Sequence, residues 1–460
     1  MSGIEPLAGI GHAVVGHAVL AHAVGHRPGA IPLEYALAAG GVALWASFDT
    51  LRLRWRRARL DPDTGRAVPP GLQAILDGAT LRWTLQLVGL LLTAAVAVLA
   101  WNVPSSGPLN QPTDDDSPAL AMVYVVFWVG LPVSSLLVGP VWRTLNSLRT
   151  IHLILARVFA RDPQHGLFPP PLRCGYWPAV LGLFGFAWLE LVQPDRTTLA
   201  VLRVWALAWL VILVLGAIVF GRRWIGSADP FEVYAGTVAR LSPWQRAGGQ
   251  LRLVNPLAHL THWRAPPGAA AVVAALLGST AFDSFANTSF WISTVQNSDV
   301  ISVVWETLGL ITMIVIVLLT FSLAAAWMGR YGDRPATAYP RLMVGSVVPI
   351  VIGYAIAHYA TLLVVEGQRT AINWSDPLGR GWNVFGSAEM GVNSALFGYP
   401  TAIALIQLIA IVGGHVLGII AAHELAVRHL PPARALVGQL PMLVVMIGYT
   451  SAGLVLLFSP

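Results

Sequence analysis

Residues 304–328 of this chain read VWETLGLITMIVIVLLTFSLAAAWM, and this stretch decides the fold. Its one charged residue, Glu306, stands near its beginning, and nearly every residue after it is apolar. A helix needs about 20 such residues to cross the roughly 30 Å of hydrocarbon in a bilayer. The hydrocarbon offers the backbone no hydrogen-bond partner, so a segment of this kind crosses it as a helix. The stretch therefore predicts a membrane-spanning α-helix.

The composition extends this prediction to most of the chain. Of its 460 residues 56% are hydrophobic and 11% charged, and the mean hydropathy is +0.66. Soluble domains carry about 25% charged residues. The net charge of +6 could indicate nucleic-acid binding, but the arginines form short clusters between apolar runs, which is typical of topology signals. We therefore expect a lipid bilayer and no nucleic acid as partner. The single Cys174 excludes an intrachain disulfide.

Apolar runs recur along the sequence and predict an all-α fold, a polytopic transmembrane helical bundle of about ten spans. Residues 1–30 are treated as a separate His-containing N-terminal segment, and 31–460 as the transmembrane helical domain. The predicted spans are 31–49, 84–103, 119–138, 176–193, 201–221, 268–287, 304–328, 342–365, 399–421 and 440–458.

Arginine distribution predicts the orientation of these spans. All 28 basic residues are arginines, and with ten spans 23 of them lie on one side, here called the Arg-rich face. Positive loops stay cytoplasmic, so the Arg-rich face is predicted to be cytoplasmic and the C-terminus to lie outside. The opposite, Arg-poor face carries Arg27, Arg196, Arg203, Arg369 and Arg380.

The N-terminal segment allows two interpretations. Its apolar stretch from Gly9 to Val24 could form an eleventh span that starts in the cytoplasm, or a helix lying in the outer interface. A signal peptide has a positive beginning, whereas this segment has Glu5. Its histidines His22 and His26 stand at i, i+4 and can point the same way, which makes them candidate metal ligands. Interfacial polar residues explain them equally well.

Ionisable groups within spans are costly and are candidates for function. Asp283 falls late in the sixth span and His358 at a similar depth in the eighth, with Tyr354 one helical turn before the histidine. A carboxylate and an imidazole on neighbouring helices could ligate a divalent metal, zinc or copper, which activates water for hydrolysis. The alternative is that both groups are hydrogen-bonded and join helices together. In the ninth span, Gln407 and His415 are weaker candidates.

Two connections between spans have features of their own. The Arg-poor loop at 375–383 combines turn formers, charge and tryptophan, and could cover a cavity open to the outside. Asp376, Arg380 and Asn383 in this loop, together with Tyr354, are the predicted substrate-binding residues. The long Arg-rich connection 222–267 predicts a short amphipathic helix over Phe231 to Leu241, before Pro243.

Several stretches, most of them in the second half of the chain, carry a resemblance to a known family. They are Asp229-Pro230-Phe231-Glu232-Val233-Tyr234 with Arg240-Leu241-Ser242-Pro243, Gly278 to Asp283 with Ser289-Phe290-Trp291, Ala357-His358-Tyr359, Ser375 to Asn383, and Gly413-Gly414-His415. These stretches resemble a family of bacterial polytopic membrane proteins identified as fenitrothion hydrolase-like. The resemblance implies a many-helix fold in the bacterial inner membrane, an organophosphate-ester hydrolase activity, and processing near Ala21-His22, but it carries over no catalytic residue.

Two main functional hypotheses follow. The first is a metal-assisted hydrolase of ester substrates with its site near the outer face, in which Asp283 and His358 hold the metal and His22 and His26 are further ligands. The second is a transporter or channel for a small solute or metal ion, in which the same groups bind the cargo or relay protons. The third hypothesis is that the protein is a subunit of a larger membrane complex, with protein partners in the membrane.

Overall fold

The computed structural model describes residues 31–102, 117–169 and 174–458. Within these ranges a long helix occurs at each of the ten predicted spans, which confirms the all-α bundle. Eight of the helices are long and apolar enough to cross a membrane. The N-terminal segment, with His22 and His26, lies outside the described residues. The ten helices are α1 (Leu33–Arg54), α3 (Ala79–Asn102), α4 (Pro118–Val138), α7 (Trp177–Leu191), α8 (Leu199–Phe220), α12 (Ala269–Ala286), α14 (Ser302–Trp327), α16 (Val348–Asn373), α17 (Pro400–His429) and α18 (Ala435–Phe458).

The two remaining long helices differ from the eight in charge or in length. Helix α1 carries Glu34, Asp49, Arg52 and Arg54 in its first and last parts. Helix α7 has 15 residues, which as a helix extend about 22 Å and fall short of the full hydrocarbon thickness. Five of its apolar residues, among them Phe186, are nevertheless almost completely buried by neighbouring helices.

Short elements connect the long helices. They are β1 (Arg66–Ala67), α2 (Pro70–Asp77), α5 (Trp142–Leu145), α6 (Ser147–Val158), α9 (Ile225–Ala228), α10 (Pro230–Val238), β2 (Trp244–Ala247), β3 (Gln250–Leu253), α11 (Pro256–Thr261), α13 (Ser289–Gln296) and α15 (Tyr339–Met343), with 3-10 turns at Ala239–Leu241, Met328–Arg330, Ala336–Ala338, Val344–Val347 and Ala395–Gly398. The three strands form one antiparallel sheet in the order β1-β3-β2 at the Arg-rich face. Gly248 and Gly249, both with positive φ, make the tight turn between β2 and β3.

After α4 the chain turns back into the bundle. Helix α4 contains a π-helical stretch, Met122–Phe127, and is followed by Gly139 at a φ of 96°. The carbonyl of Leu145 in α5 then packs against Gly89, where any side chain would collide with it. Gly89 lies ten residues into α3, about 15 Å from the Arg-rich end of that helix. The connection after α4 therefore reaches well inside the bundle before α6 leads out again.

The predicted helix over Phe231 to Leu241 is present as α10 and the 3-10 turn that follows it. Its predicted amphipathic character is wrong, because residues 230–235 are all buried. The Phe231 ring is fully buried and stacks edge-on against rings of three long helices, including Phe186 at 5.1 Å and Trp209 at 5.6 Å between ring centroids. Aromatic packing of this kind stabilises beyond burial alone, so the segment inserts among the long helices instead of lying on the surface.

Helices α16 and α17 pack backbone against backbone. A side chain at Gly414 would stand 2.6 Å from the carbonyl of Pro349, and one at Gly418 would stand 2.8 Å from the carbonyl of Ser346, in the 3-10 turn that leads into α16. Gly353 meets the carbonyl of Ala410 even more closely. Small residues allow such approach between membrane helices and increase van der Waals contact. These contacts fix how α16, which carries His358, sits beside its neighbour.

Candidate functional site

Asp283 and His358, the two ionisable groups that the sequence singles out within the spans, are in direct contact. Asp283 lies three residues before the end of α12, about 5 Å from the Arg-poor end of that helix. His358 comes from α16, and its Nε2 is 2.8 Å from Oδ2 of Asp283. The side chain of His358 is 1% exposed and that of Asp283 13%. The pair is thus close to the Arg-poor face and is open chiefly on the side of the carboxylate.

Two hydroxyl groups extend this pair. Tyr359 donates a hydrogen bond of 3.0 Å to Oδ2 of Asp283, and Ser284 Oγ is 3.2 Å from Nδ1 of His358. A carboxylate accepts hydrogen bonds, so Nε2 carries the imidazole hydrogen and Nδ1 is left to accept from the serine. The result is a chain of carboxylate, imidazole and hydroxyl in hydrogen-bond contact.

Tyr354 takes part through the serine. Its hydroxyl lies 2.8 Å from Ser284 Oγ, and its ring is parallel to the imidazole of His358, with 6.1 Å between the centroids. Tyr354 and His358 therefore lie on the same face of α16. Ser284 and Tyr359 are the residues that sequence reasoning missed. Hydroxyl groups are common in membrane helices, and adjacency to Asp283 and His358 was the one signal that could have singled them out.

The metal role of Asp283 and His358 stays a prediction. A catalytic zinc site has three protein ligands, and the described ranges contain no group of three His, Cys, Asp or Glu residues able to hold a metal. The two facing atoms are 2.8 Å apart, closer than the roughly 3.3 Å between two ligands of a tetrahedral zinc. A metal here would need the pair to separate slightly and a further ligand, for which His22 and His26 were predicted.

The loop at 375–383 folds on itself through the residues predicted to bind substrate. Asp376 accepts hydrogen bonds from the backbone N–H groups of Arg380, at 2.8 Å, and Gly381, at 2.7 Å. Asn383 accepts from the hydroxyl of Ser375 at 3.0 Å. These bonds give the loop a defined path at the Arg-poor face, and its contact with a substrate stays a prediction.

Gln407 and His415 lie deeper, in the ninth span. The Gln407 amide donates to the carbonyl of Ala357 at 3.0 Å, and Nδ1 of His415 is 2.8 Å from the carbonyl of Ile411. Both residues are buried, and within the described part of the chain Oε1 of Gln407 and Nε2 of His415 have no hydrogen-bond partner. Unsatisfied polar atoms in a bundle interior are costly, so Gln407 and His415 are two separate polar positions inside the bundle.

A second buried polar cluster, absent from the sequence-based prediction, joins α5–α6 to α10. Arg149 forms two bonds with Glu232, 2.6 Å from Nε and 2.5 Å from Nη2. Asp229 caps α10 and accepts from the amide of Asn146 at 2.7 Å and from Trp142 at 3.2 Å. Burial, with the nearby Glu232 carboxylate as a smaller cause, raises the pKa of Asp229 to about 7. Because Arg149 and Glu232 are 83 residues apart, no local pattern could pair them.

A third cluster ties the connection after α1 to α17. The Glu424 carboxylate, fully buried, accepts from the Trp55 indole at 2.8 Å and from Arg428 at 2.7 Å. It also accepts from the backbone N–H groups of Arg59 and Leu60. Multiple donors of this kind satisfy a buried carboxylate, so this cluster is explained as a structural anchor.

Comparison of the chain with protein-family models, with curated proteins and with solved structures finds no match. The fold and the apolar helices define the class: this is a multi-pass helical integral membrane protein. Any finer function must be argued from the residues themselves.

Proposed function

We propose that this protein is a membrane-embedded hydrolase of ester substrates whose site lies at the outer face of a bacterial cell membrane. The observation that carries the proposal is the order of Asp283, His358 and Ser284, a carboxylate, an imidazole and a hydroxyl in successive hydrogen bonds. A nucleophile within reach of a base, with the base oriented by a third group, is the arrangement used in covalent hydrolysis.

The chemistry follows from this arrangement. Nδ1 of His358 accepts the proton of Ser284 as Oγ bonds to the carbonyl carbon or phosphorus of the ester. The leaving alkoxide then takes that proton from the imidazole, and a water molecule repeats the sequence to release the acid. Asp283 and Tyr359 hold the imidazole and stabilise its charged form. The hydroxyl of Tyr354, close to Ser284, can donate to developing negative charge.

The proposal requires access for the substrate, and it allows a metal as an addition. Ser284 is 3% exposed, so a substrate must enter beside Asp283, which is the more open of the two partners. If His22 or His26 joins the pair, a zinc or copper ion held there would supply an activated water near neutral pH. The metal content of the purified protein, with and without His358→Ala, tests this part by itself.

The test of the hydrolase uses the full chain in lipid nanodiscs with a chromogenic carboxylic ester and a chromogenic phosphate triester. Ser284→Ala and His358→Gln should each lower hydrolysis about 10³-fold, because either change removes the transfer of the proton. Ser279→Ala is the matched control, since Ser279 is also buried on α12 but bonds the backbone carbonyl of Leu276.

Covalent labelling supplies an independent readout. A fluorophosphonate probe should add one adduct, located at Ser284 by peptide mass, and His358→Gln should suppress it. Hydrolysis that is unchanged in Ser284→Ala, or an adduct elsewhere, would refute the role of this serine.

A transporter of a small solute or metal ion is the second candidate. It is favoured by the polar atoms of Gln407 and His415, which lie deeper than Asp283 without hydrogen-bond partners in the described residues. In that case Asp283 and His358 would bind a proton or cargo on its way inward. Two results together would support transport over hydrolysis. Proteoliposomes containing the protein would take up a small solute or metal ion and lose this uptake in His415→Leu, and the protein would hydrolyse no ester.

A further inference from the structure

A groove lies at the Arg-rich face between α2 and the three-stranded sheet. Its volume is about 750 Å³. Its apolar wall includes Val68, Leu72, Trp244 and Leu253, and its polar groups include Arg66 and Gln73. Gln73 donates to the carbonyl of Gly249 in the turn of the sheet, which holds α2 and the sheet together as the two sides of the groove.

The apolar residues around this groove are exposed to an unusual degree. Leu72 is 47% exposed, Leu253 46% and Trp244 37%, and Ile75 on α2 is 65% exposed. Helix α2 ends at Asp77, and α3, one of the membrane-spanning helices, begins two residues later at Ala79. A short apolar helix directly before a span lies at the level of the lipid headgroups, where such residues face lipid instead of water.

The charges at the groove leave one cation available. Asp77 is paired with Arg246, which removes the negative charge from the groove. The guanidinium of Arg66 is exposed and, among the described residues, makes no hydrogen bond or ion pair. Arg66 stands on β1, at the edge of the sheet and beside the apolar wall. The groove therefore offers a free guanidinium next to an apolar surface at headgroup depth.

We propose that this groove binds an anionic phospholipid from the membrane. The guanidinium of Arg66 pairs with the lipid phosphate, for which its planar set of donors is well suited, and the wall formed by Leu72, Trp244 and Leu253 receives the upper part of the acyl chains. A protein segment would match the apolar wall equally well, but a lipid is already present at this depth and carries both required parts, phosphate and hydrocarbon. The site is separate from Asp283 and His358 and does not depend on the proposed hydrolase.

The test is native mass spectrometry of the full chain in detergent, titrated with phosphatidylglycerol or with phosphatidylcholine of the same acyl chains. We expect phosphatidylglycerol to be retained in preference. Arg66→Gln should reduce its binding about fivefold, because one basic residue near the surface contributes roughly that much. Leu72→Ser should weaken both lipids. Arg57→Gln is the matched control, since Arg57 is exposed on the same face and does not line the groove.

Three results would overturn the proposal. Equal binding of the two lipids would show no preference for the anion. An equal loss in Arg66→Gln and Arg57→Gln would show that the whole Arg-rich face attracts lipid without a defined site. Displacement of phosphatidylglycerol by millimolar inorganic phosphate would show a simple anion site that does not use the apolar wall.

Discussion

Replacing Arg149 by methionine should destabilise the protein strongly, because it leaves the carboxylate of Glu232 buried without its partner. The two side chains are 6% and 10% exposed, and two hydrogen bonds of 2.5 and 2.6 Å join them. Removing one member of a buried ion pair typically costs about 3–5 kcal/mol of the free energy of unfolding. Methionine fills much of the volume of the arginine stem, so the lost free energy of unfolding reflects the unpaired charge of Glu232 and not a cavity.

The double variant separates the interaction between Arg149 and Glu232 from the cost of burying each charged group. In Arg149→Met with Glu232→Gln no unpaired charge remains, and the residual loss should be clearly smaller than the sum of the two single losses. Residues in direct contact show coupling free energies of about 0.5–3 kcal/mol, and a buried charge pair belongs at the upper end of that range.

The assay is reversible unfolding in mixed micelles, followed by near-ultraviolet circular dichroism as the fraction of sodium dodecyl sulfate rises. The control pair is Arg246 with Asp77, which is 52% and 35% exposed, and its double neutral variant should unfold at the same fraction as the wild type. A loss below about 1 kcal/mol for Arg149→Met, or strict additivity in the double variant, would refute the reasoning.

Three other predictions follow from particular positions. Gly414→Ala should lower the stability of the bundle, because the new methyl group would stand 2.6 Å from a carbonyl of the facing helix. Gly413→Ala should be tolerated or slightly stabilising, because a methyl group there would have no neighbouring atom within 4 Å. Thermal unfolding of both variants compares them directly. The raised pKa of Asp229 means that the folded state binds its proton more tightly, so stability should fall as the pH rises from about 4 to about 7, and unfolding midpoints of Asp229→Asn across this range should lack that decline. A reporter inserted near Pro335 should be cytoplasmic and one fused after Ser459 external, and the opposite result for either would contradict the ten-span orientation.

The positions of the spans could be predicted because hydropathy is a local property. An apolar run such as 304–328 is transferred from water into the bilayer whatever the rest of the chain does. Helix α14, at Ser302–Trp327, agrees closely with this run. The same reasoning failed for residues 231–241. A short apolar helix can lie on a membrane or insert into the bundle, and the rings around Phe231 decided for insertion.

The candidate site could be predicted in part. The cost of an ionisable group in hydrocarbon singled out Asp283 and His358 and required that each has a partner, but it left open whether that partner is a shared metal or a hydrogen-bonding group. Ser284 and Tyr359 gave no such signal, because a hydroxyl group in a membrane helix can bond its own backbone. The serine became a candidate when its Oγ was found 3.2 Å from the imidazole.

By itself, then, the sequence determined the class of this protein, the places of its long apolar helices, and which charged groups inside them needed partners. Each of these follows from the transfer of side chains out of water, which depends on composition over about 20 residues. Only the tertiary structure showed that Arg149 pairs with Glu232 and that the Glu424 carboxylate accepts hydrogen bonds from Trp55 and its neighbours. Those partners are 83 and 369 residues apart, and which groups meet across such distances depends on how the helices pack, a property that no local segment contains.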